Sequence, residues 1–229
     1  MTWQLSSATA TLDTGTWSGA LDLENPQNGF SIESDNGMKT SLFPLAIPNS
    51  PATPLLSECF IRQGDLIVTY PQRDGRPFSL QLDYRILPIE SHIVSKLTVA
   101  ANPLEKGLLV EIWISLQTYL LDTHPSLEMD LHLDPTSAPP STHPIAILSG
   151  TCPPSGLHVT YFVDPHDQRD TKWRHHDVHH RATFFGHFME KGVIRRARLR
   201  CLVTRNPVCS DFIADQYQQL IESPLPLTA

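Results

Sequence analysis

Apolar and polar residues alternate with a period of two along most of this chain, and that pattern demands a fold built from strands. In Phe78, Leu80, Leu82, Tyr84 and Ile86 the apolar set is interleaved by Ser79, Gln81, Asp83 and Arg85. Successive strand side chains point to opposite faces, so one face lies on a core and the other in water. The pattern recurs in Leu108, Val110, Ile112, Ile114 and Leu116. It returns in Leu127, Met129, Leu131 and Leu133, whose neighbours Glu128, Asp130, His132 and Asp134 are polar. Shorter runs over 64–70, 93–101, 145–149 and 157–163 read the same way, with turn residues such as Asp74, Gly75 and Gly107 between them. A helical period shows only near the C-terminus, where Phe212, Ile213, Tyr217, Leu220 and Ile221 share a face until Pro224. Ser210 is placed to cap this helix, and Asp211 suits its positive end. About a dozen strands and one short C-terminal helix predict an all-β fold, an antiparallel sandwich or barrel.

Composition supports a packed core. The 229 residues are 40% hydrophobic and 18% charged, which suits one β-sandwich domain over 1–229. The 20 prolines exceed the roughly 5% average and punctuate the connections, with 134–143 the best candidate linker. No stretch approaches the ~18 apolar residues of a membrane span, and no basic region precedes an apolar run at the N-terminus. The expectation is a cytoplasmic protein with no membrane partner. Cys59, Cys152, Cys201 and Cys209 lack paired spacing, so reduced thiols are expected.

The net charge of −7 conceals an asymmetry. Residues 1–165 hold 7 Lys and Arg against 17 Asp and Glu, whereas residues 166–205 hold 10 against 4. The basic stretch overlaps most of the histidine, with 7 of 11 lying between His158 and His187. One basic, histidine-rich segment in an acidic protein points to a local site for a carbohydrate or anionic small molecule, with no nucleic-acid surface.

Residues 182–204 read as a hairpin around Glu190, Lys191 and Gly192. Arg196, Arg198 and Arg200 fall two apart and share one face, while Ala197, Leu199, Cys201 and Val203 share the other. A two-residue turn would bring Phe185 and His187 to the arginine face. That face offers forked donors for hydroxyls, carboxylate or phosphate. Alternatively, carboxylates such as Glu128 and Asp130 on a neighbouring strand neutralise it.

Residues 164–181 are almost wholly polar and read as a long excursion between strands. Trp173 could stack on a sugar there, and His166 joins the candidate ligand-binding residues. His175 with His179, or His176 with His180, would face one way on a helical turn and could ligate zinc, although no metal signature is matched. For acid–base chemistry the candidates are His158, His166, His187 and Glu190, and spacing selects none of them.

The long alternating strands, the polar excursion, the segment 184–192 (FFGHFMEKG) and the returning arginine strand resemble a galactose-mutarotase-like β-supersandwich. Segments 58–70, 77–87 and 108–118 also resemble an uncharacterised bacterial family, and the likeness extends over 31–226. The resemblance implies an antiparallel β-sandwich that binds carbohydrate on a concave polar sheet face, here the one carrying Arg196, Arg198 and Arg200. Enzymes of that class pair a histidine acid with a glutamate base, and no position here matches either. The resulting expectation is a binder of a sugar, uronate or sugar phosphate without a required cofactor. The alternatives are an aldose or sugar-phosphate epimerase, or a histidine-rich metal-binding or protein-interaction module.

Overall fold

The computed structural model describes residues 2–48, 55–74, 76–87, 89, 107–135, 146–153 and 155–224. β1 (Thr2–Leu5), β2 (Thr9–Asp13), β3 (Trp17–Asp22), β4 (Phe30–Ser34) and β5 (Lys39–Leu42) pair in that order as a five-stranded meander. The short β6 (Leu45–Ala46) follows, then β7 (Glu58–Arg62), β8 (Asp65–Tyr70), β9 (Ser79–Leu87) and β10 (Leu108–Gln117). Next come β11 (Ser126–His132), β12 (Asp134–Pro135), β13 (Ile147–Thr151) and β14 (His158–Val163). The last strands are β15 (Thr171–His176), β16 (His179–Phe185) and β17 (Ile194–Thr204), followed by the helix α1 (Ser210–Glu222). An eight-stranded sheet runs β12, β13, β14, β17, β10, β9, β8, β7, and a four-stranded sheet runs β15, β16, β11, β6. The fold is an antiparallel β-sandwich with one short C-terminal helix.

The alternating strands do what their period requires. Leu80, Leu82 and Tyr84 of β9 and Val110, Ile112 and Ile114 of β10 face inward from the eight-stranded sheet. They meet Trp3, Leu21, Phe30 and Ile32 from the five-stranded sheet and Leu127, Met129 and Phe184 from the four-stranded one in a continuous core. Trp3, Phe30 and Tyr84 form an aromatic cluster across the layers, with Trp3 and Phe30 centroids 5.2 Å apart. The Phe30 ring lies over Gly19, where a Cβ would overlap it. Gly19→Ala is therefore expected to cost about 1–3 kcal/mol, read as a lower denaturation midpoint at unchanged m-value.

The helix α1 covers the outer face of the eight-stranded sheet. Phe212 and Leu220 pack on Leu109, Phe162 and Leu202, and the i, i+4 spacing of Phe212, Gln216 and Leu220 sets the buried stripe. This second contact explains why β14 is buried at every position rather than at alternate ones. Cys209, rather than Ser210, occupies the N-cap position, and no side chain caps the helix there.

Residues 182–204 are not a hairpin. β16 pairs with β11 and β15, whereas β17 pairs with β10 and β14 in the other sheet. Phe185 (φ 66°) and Gly186 (φ 80°) take the chain out of the four-stranded sheet in left-handed conformation. Met189 then bridges to Thr123 before the turn at Glu190 to Val193 leads into β17. The strand expected over 93–101 and most of the 134–143 connection lie outside the described residues. Among the described residues no helix is long and apolar enough to cross a membrane.

Candidate functional site

Strand register places the outward side chains of β8, β9, β10 and β17 in rows. One row is Asp65, Arg85, Glu111 and Arg200; the next is Ile67, Asp83, Trp113 and Arg198; the next is Thr69, Gln81, Ser115 and Arg196. The arginine stripe thus does lie on the polar face of β17, with Leu199 and Cys201 in the core behind it. What covers it divides it into two parts.

Arg200 and Arg198 are buried under α1. Arg200 donates from Nε and Nη2 to Glu111 Oε2 at 3.1 and 2.8 Å, and Trp113 Nε1 donates to Glu111 Oε1 at 2.8 Å. Arg198 donates from Nε to Asp164 Oδ2 at 2.8 Å, from Nη2 to Leu220 O at 2.5 Å and from Nη1 to Ser223 Oγ at 2.8 Å. Its guanidinium also lies 5.2 Å from the Trp113 ring centroid. The expectation that Arg198 and Arg200 present open donors to a ligand is therefore corrected. Their donors satisfy buried carboxylates and the carbonyls at the end of α1, a common need of helix termini. The neutralising acids are Asp164 and Glu111, not Glu128 and Asp130, which sit on β11 and pair with Arg181 of β16. Burial raises the Asp164 carboxyl, but hydrogen bonds from His166 and the Arg198 charge outweigh it and hold it below the ordinary range.

Beyond the reach of α1 the same face is open. A cleft of about 370 Å³ is lined by Thr69, Ser79, Gln81, Ser115, Gln117 and Arg196, with Tyr119 and Ile194 at its rim. Hydroxyls and amides line it because these are the polar partners in the alternating strands, and Pro71, Leu80 and Leu116 contribute apolar surface beside them. Arg196 is exposed and forms no ion pair among the described residues. Asp83, one row along, accepts from Gln81 Nε2 at 2.8 Å, and burial raises its carboxyl above the ordinary value. Tyr119 is 58% exposed, its backbone N–H held by Gln72 Oε1 at 2.8 Å. Of the seven expected ligand residues this cleft contains Arg196 alone. Sequence reading missed Thr69, Gln81, Ser115, Gln117 and Tyr119, whose signal is the neutral polar half of the alternation in β9 and β10.

The remaining expected residues are dispersed. Phe185 is a core residue, 8% exposed. His187 is paired through Nε2 with Asp170 Oδ1 at 3.0 Å, away from the arginines. His166 packs its Nδ1 on Asp164 Oδ1 at 2.9 Å, a local turn that orients the carboxylate toward Arg198. Trp173 packs against the core instead of standing free. His158 is buried with Nε2 3.0 Å from Ser149 Oγ, and burial lowers its basicity. Glu190 is exposed in its turn. None of His158, His166, His187 and Glu190 lines the cleft.

The histidine segment is a hairpin of β15 and β16, not a helical turn. Asp177 (φ 52°) makes its turn, and strand alternation pairs His175 with His180 and His176 with His179. The first pair shares the side of Trp173 and Ala182; the second shares the opposite side, where His179 stacks on His132 with centroids 4.7 Å apart. The four histidines therefore cannot meet at one metal ion. Among the described residues no group of three or more His, Cys, Asp or Glu is arranged to hold one. Burial lowers both His175 and His180 below the ordinary imidazole value.

No family model matches the chain, and no curated relative is similar to it in sequence. Among solved structures it is similar to a mutant of the heparan sulfate lyase HepC from Pedobacter heparinus, with a TM-score of 0.53 and 10% identity. The match covers 91% of this chain and 37% of that one, so the chain spans little more than a third of its neighbour's length. The likeness is one of fold: an antiparallel β-sandwich shared along nearly the whole chain.

Proposed function

We propose that this chain is a carbohydrate-binding β-sandwich of the supersandwich kind, with its ligand lying in the cleft over β8, β9, β10 and β17. The row Thr69, Gln81, Ser115 and Arg196 carries this reading, because it sets hydroxyl and amide groups beside an exposed guanidinium that has no ion pair among the described residues. Hydroxyls and amides both donate and accept, as sugar hydroxyls require. A guanidinium adds a forked contact for a carboxylate or phosphate, so a uronate or sugar phosphate fits better than a neutral sugar. Tyr119 supplies an exposed ring at the rim for the apolar face of a pyranose. The likeness of fold to a chain named as a heparan sulfate lyase is in keeping with a carbohydrate ligand. The cleft contains no imidazole among its lining residues, and the reading is one of binding rather than epimerisation.

Titration calorimetry with uronate oligosaccharides, sugar phosphates and their neutral counterparts tests it. Arg196→Ala is expected to weaken an acidic sugar by about ten- to a hundred-fold, the worth of one charged hydrogen-bond set, and a neutral sugar hardly at all. Gln81→Ala should weaken both, since its amide contact does not depend on ligand charge. Absence of binding across the series, or an Arg196→Ala protein with unchanged affinity, would overturn the assignment.

A further inference from the structure

The end of the β15–β16 hairpin carries a second feature that the sugar cleft does not use. His180 Nε2 lies 3.1 Å from Leu133 O, and a carbonyl only accepts, so this nitrogen bears the proton. In the neutral ring the lone pair is then on Nδ1, which lies 2.6 Å from His175 Nδ1. Without a metal, His175 Nδ1–H donates to it. The two Nδ1 atoms thus face each other across one shared proton, and the buried ring is held by a backbone carbonyl from behind. That is the arrangement in which a metal-ligating histidine is oriented and made more basic by its outer partner.

We propose that His175 and His180 bind one imidazole-preferring transition-metal dication, such as Cu²⁺ or Zn²⁺, through their Nδ1 atoms. With metal–nitrogen bonds of about 2.0–2.1 Å at a tetrahedral angle, the nitrogens must stand roughly 3.3 Å apart. The exposed His175 can open by that amount, because β15 is an edge strand and the ring stacks on Trp173 at 5.8 Å between centroids, a contact along which it can slide. On binding, the proton of His175 moves from Nδ1 to Nε2, so no net proton is released. A cleft of about 440 Å³ at the end of the hairpin, which His176, His179, Arg174 and Arg181 also line, reaches the pair and admits water for the remaining positions. His176 and His179 lie on the other side of the hairpin, and the parallel stack of His179 on His132 (3° between planes) keeps those nitrogens from converging.

Calorimetry of the tag-free full chain with Cu²⁺ and with Zn²⁺, Mg²⁺ serving as the hard-ion control, reads the site directly. One equivalent is expected, with affinity reduced about ten-fold or more in His175→Ala and in His180→Ala, and unchanged in His176→Ala and His179→Ala. His175 is exposed, so its variant keeps the fold even where His180→Ala does not. Cu²⁺ should also quench Trp173 emission, a signal absent in Trp173→Phe although the metal still binds. No stoichiometric uptake, or uptake undiminished in His175→Ala, or loss confined to the His176 and His179 variants, would each overturn the proposal.

Discussion

Arg198→Met is expected to destabilise the protein by about 3–5 kcal/mol, the cost of leaving one member of a buried ion pair alone. Asp164 and Arg198 side chains are 2% and 3% exposed, so the abandoned carboxylate has no access to water. It would retain only the backbone and ring nitrogens of His166. Ser223 O would lose its donor and Leu220 O would keep only the Ser223 hydroxyl, so the end of α1 would be released from the sheet. Denaturant melts should therefore show a lower midpoint, and hydrogen exchange should quicken in α1 before it quickens in β10 or β17. The double variant Arg198→Met/Asp164→Leu should recover part of the loss, because a buried ion pair replaced whole by apolar groups is often neutral. A single variant with stability within about 0.5 kcal/mol of the parent would show that Arg198 is not the latch of α1.

That latch marks where sequence reading succeeded and where it stopped. The period of two correctly placed Arg196, Arg198 and Arg200 on the polar side of a strand and Leu199 and Cys201 on the core side. Alternation is a local property, and each strand carries it alone. Which strands become neighbours is not local: Phe184, Phe185 and Gly186 look like the first half of a hairpin. The left-handed turn at Phe185 sends the chain to the other sheet instead. In the same way, the amphipathic period of α1 was visible, but its landing place over Glu111 and Asp164 was not. That placement turned two expected ligand contacts into structural ones. The cleft around Gln81 and Ser115 was obscure for a different reason. Neutral polar residues on an exposed strand face leave no charge signature, and only pairing across four strands assembles them with Arg196. The histidine hairpin was closest to legible, since Thr171, Trp173 and His175 alternate with polar residues just as His180, Ala182 and Phe184 do. Asp177, a residue that tolerates positive φ, marks its turn.

Asp167→Asn is expected to stabilise the protein at pH 8 and to leave it unchanged near pH 4. Asp167 Oδ2 accepts the backbone N–H of Arg198 at 2.7 Å, yet burial, with the adjacent Asp164 charge, raises its carboxyl from 3.8 to about 6. A carboxyl that binds its proton more tightly in the folded state favours folding below its unfolded value and loses that contribution as pH rises through about 6. The full difference corresponds to about 3 kcal/mol between low and high pH. Asparagine keeps a carbonyl oxygen for the Arg198 N–H and carries no charge, so the variant should gain up to that amount where the aspartate is ionised. Asp164 runs the other way, since its depressed carboxyl loses stabilisation as pH falls below the ordinary carboxylate range. The contribution of Asp167 is therefore read as the difference between variant and parent across pH 4–8, in which the Asp164 contribution largely cancels. A difference that is flat with pH would show that Asp167 stays ionised, the Arg198 backbone N–H and charge balancing its burial and the approach of Asp164.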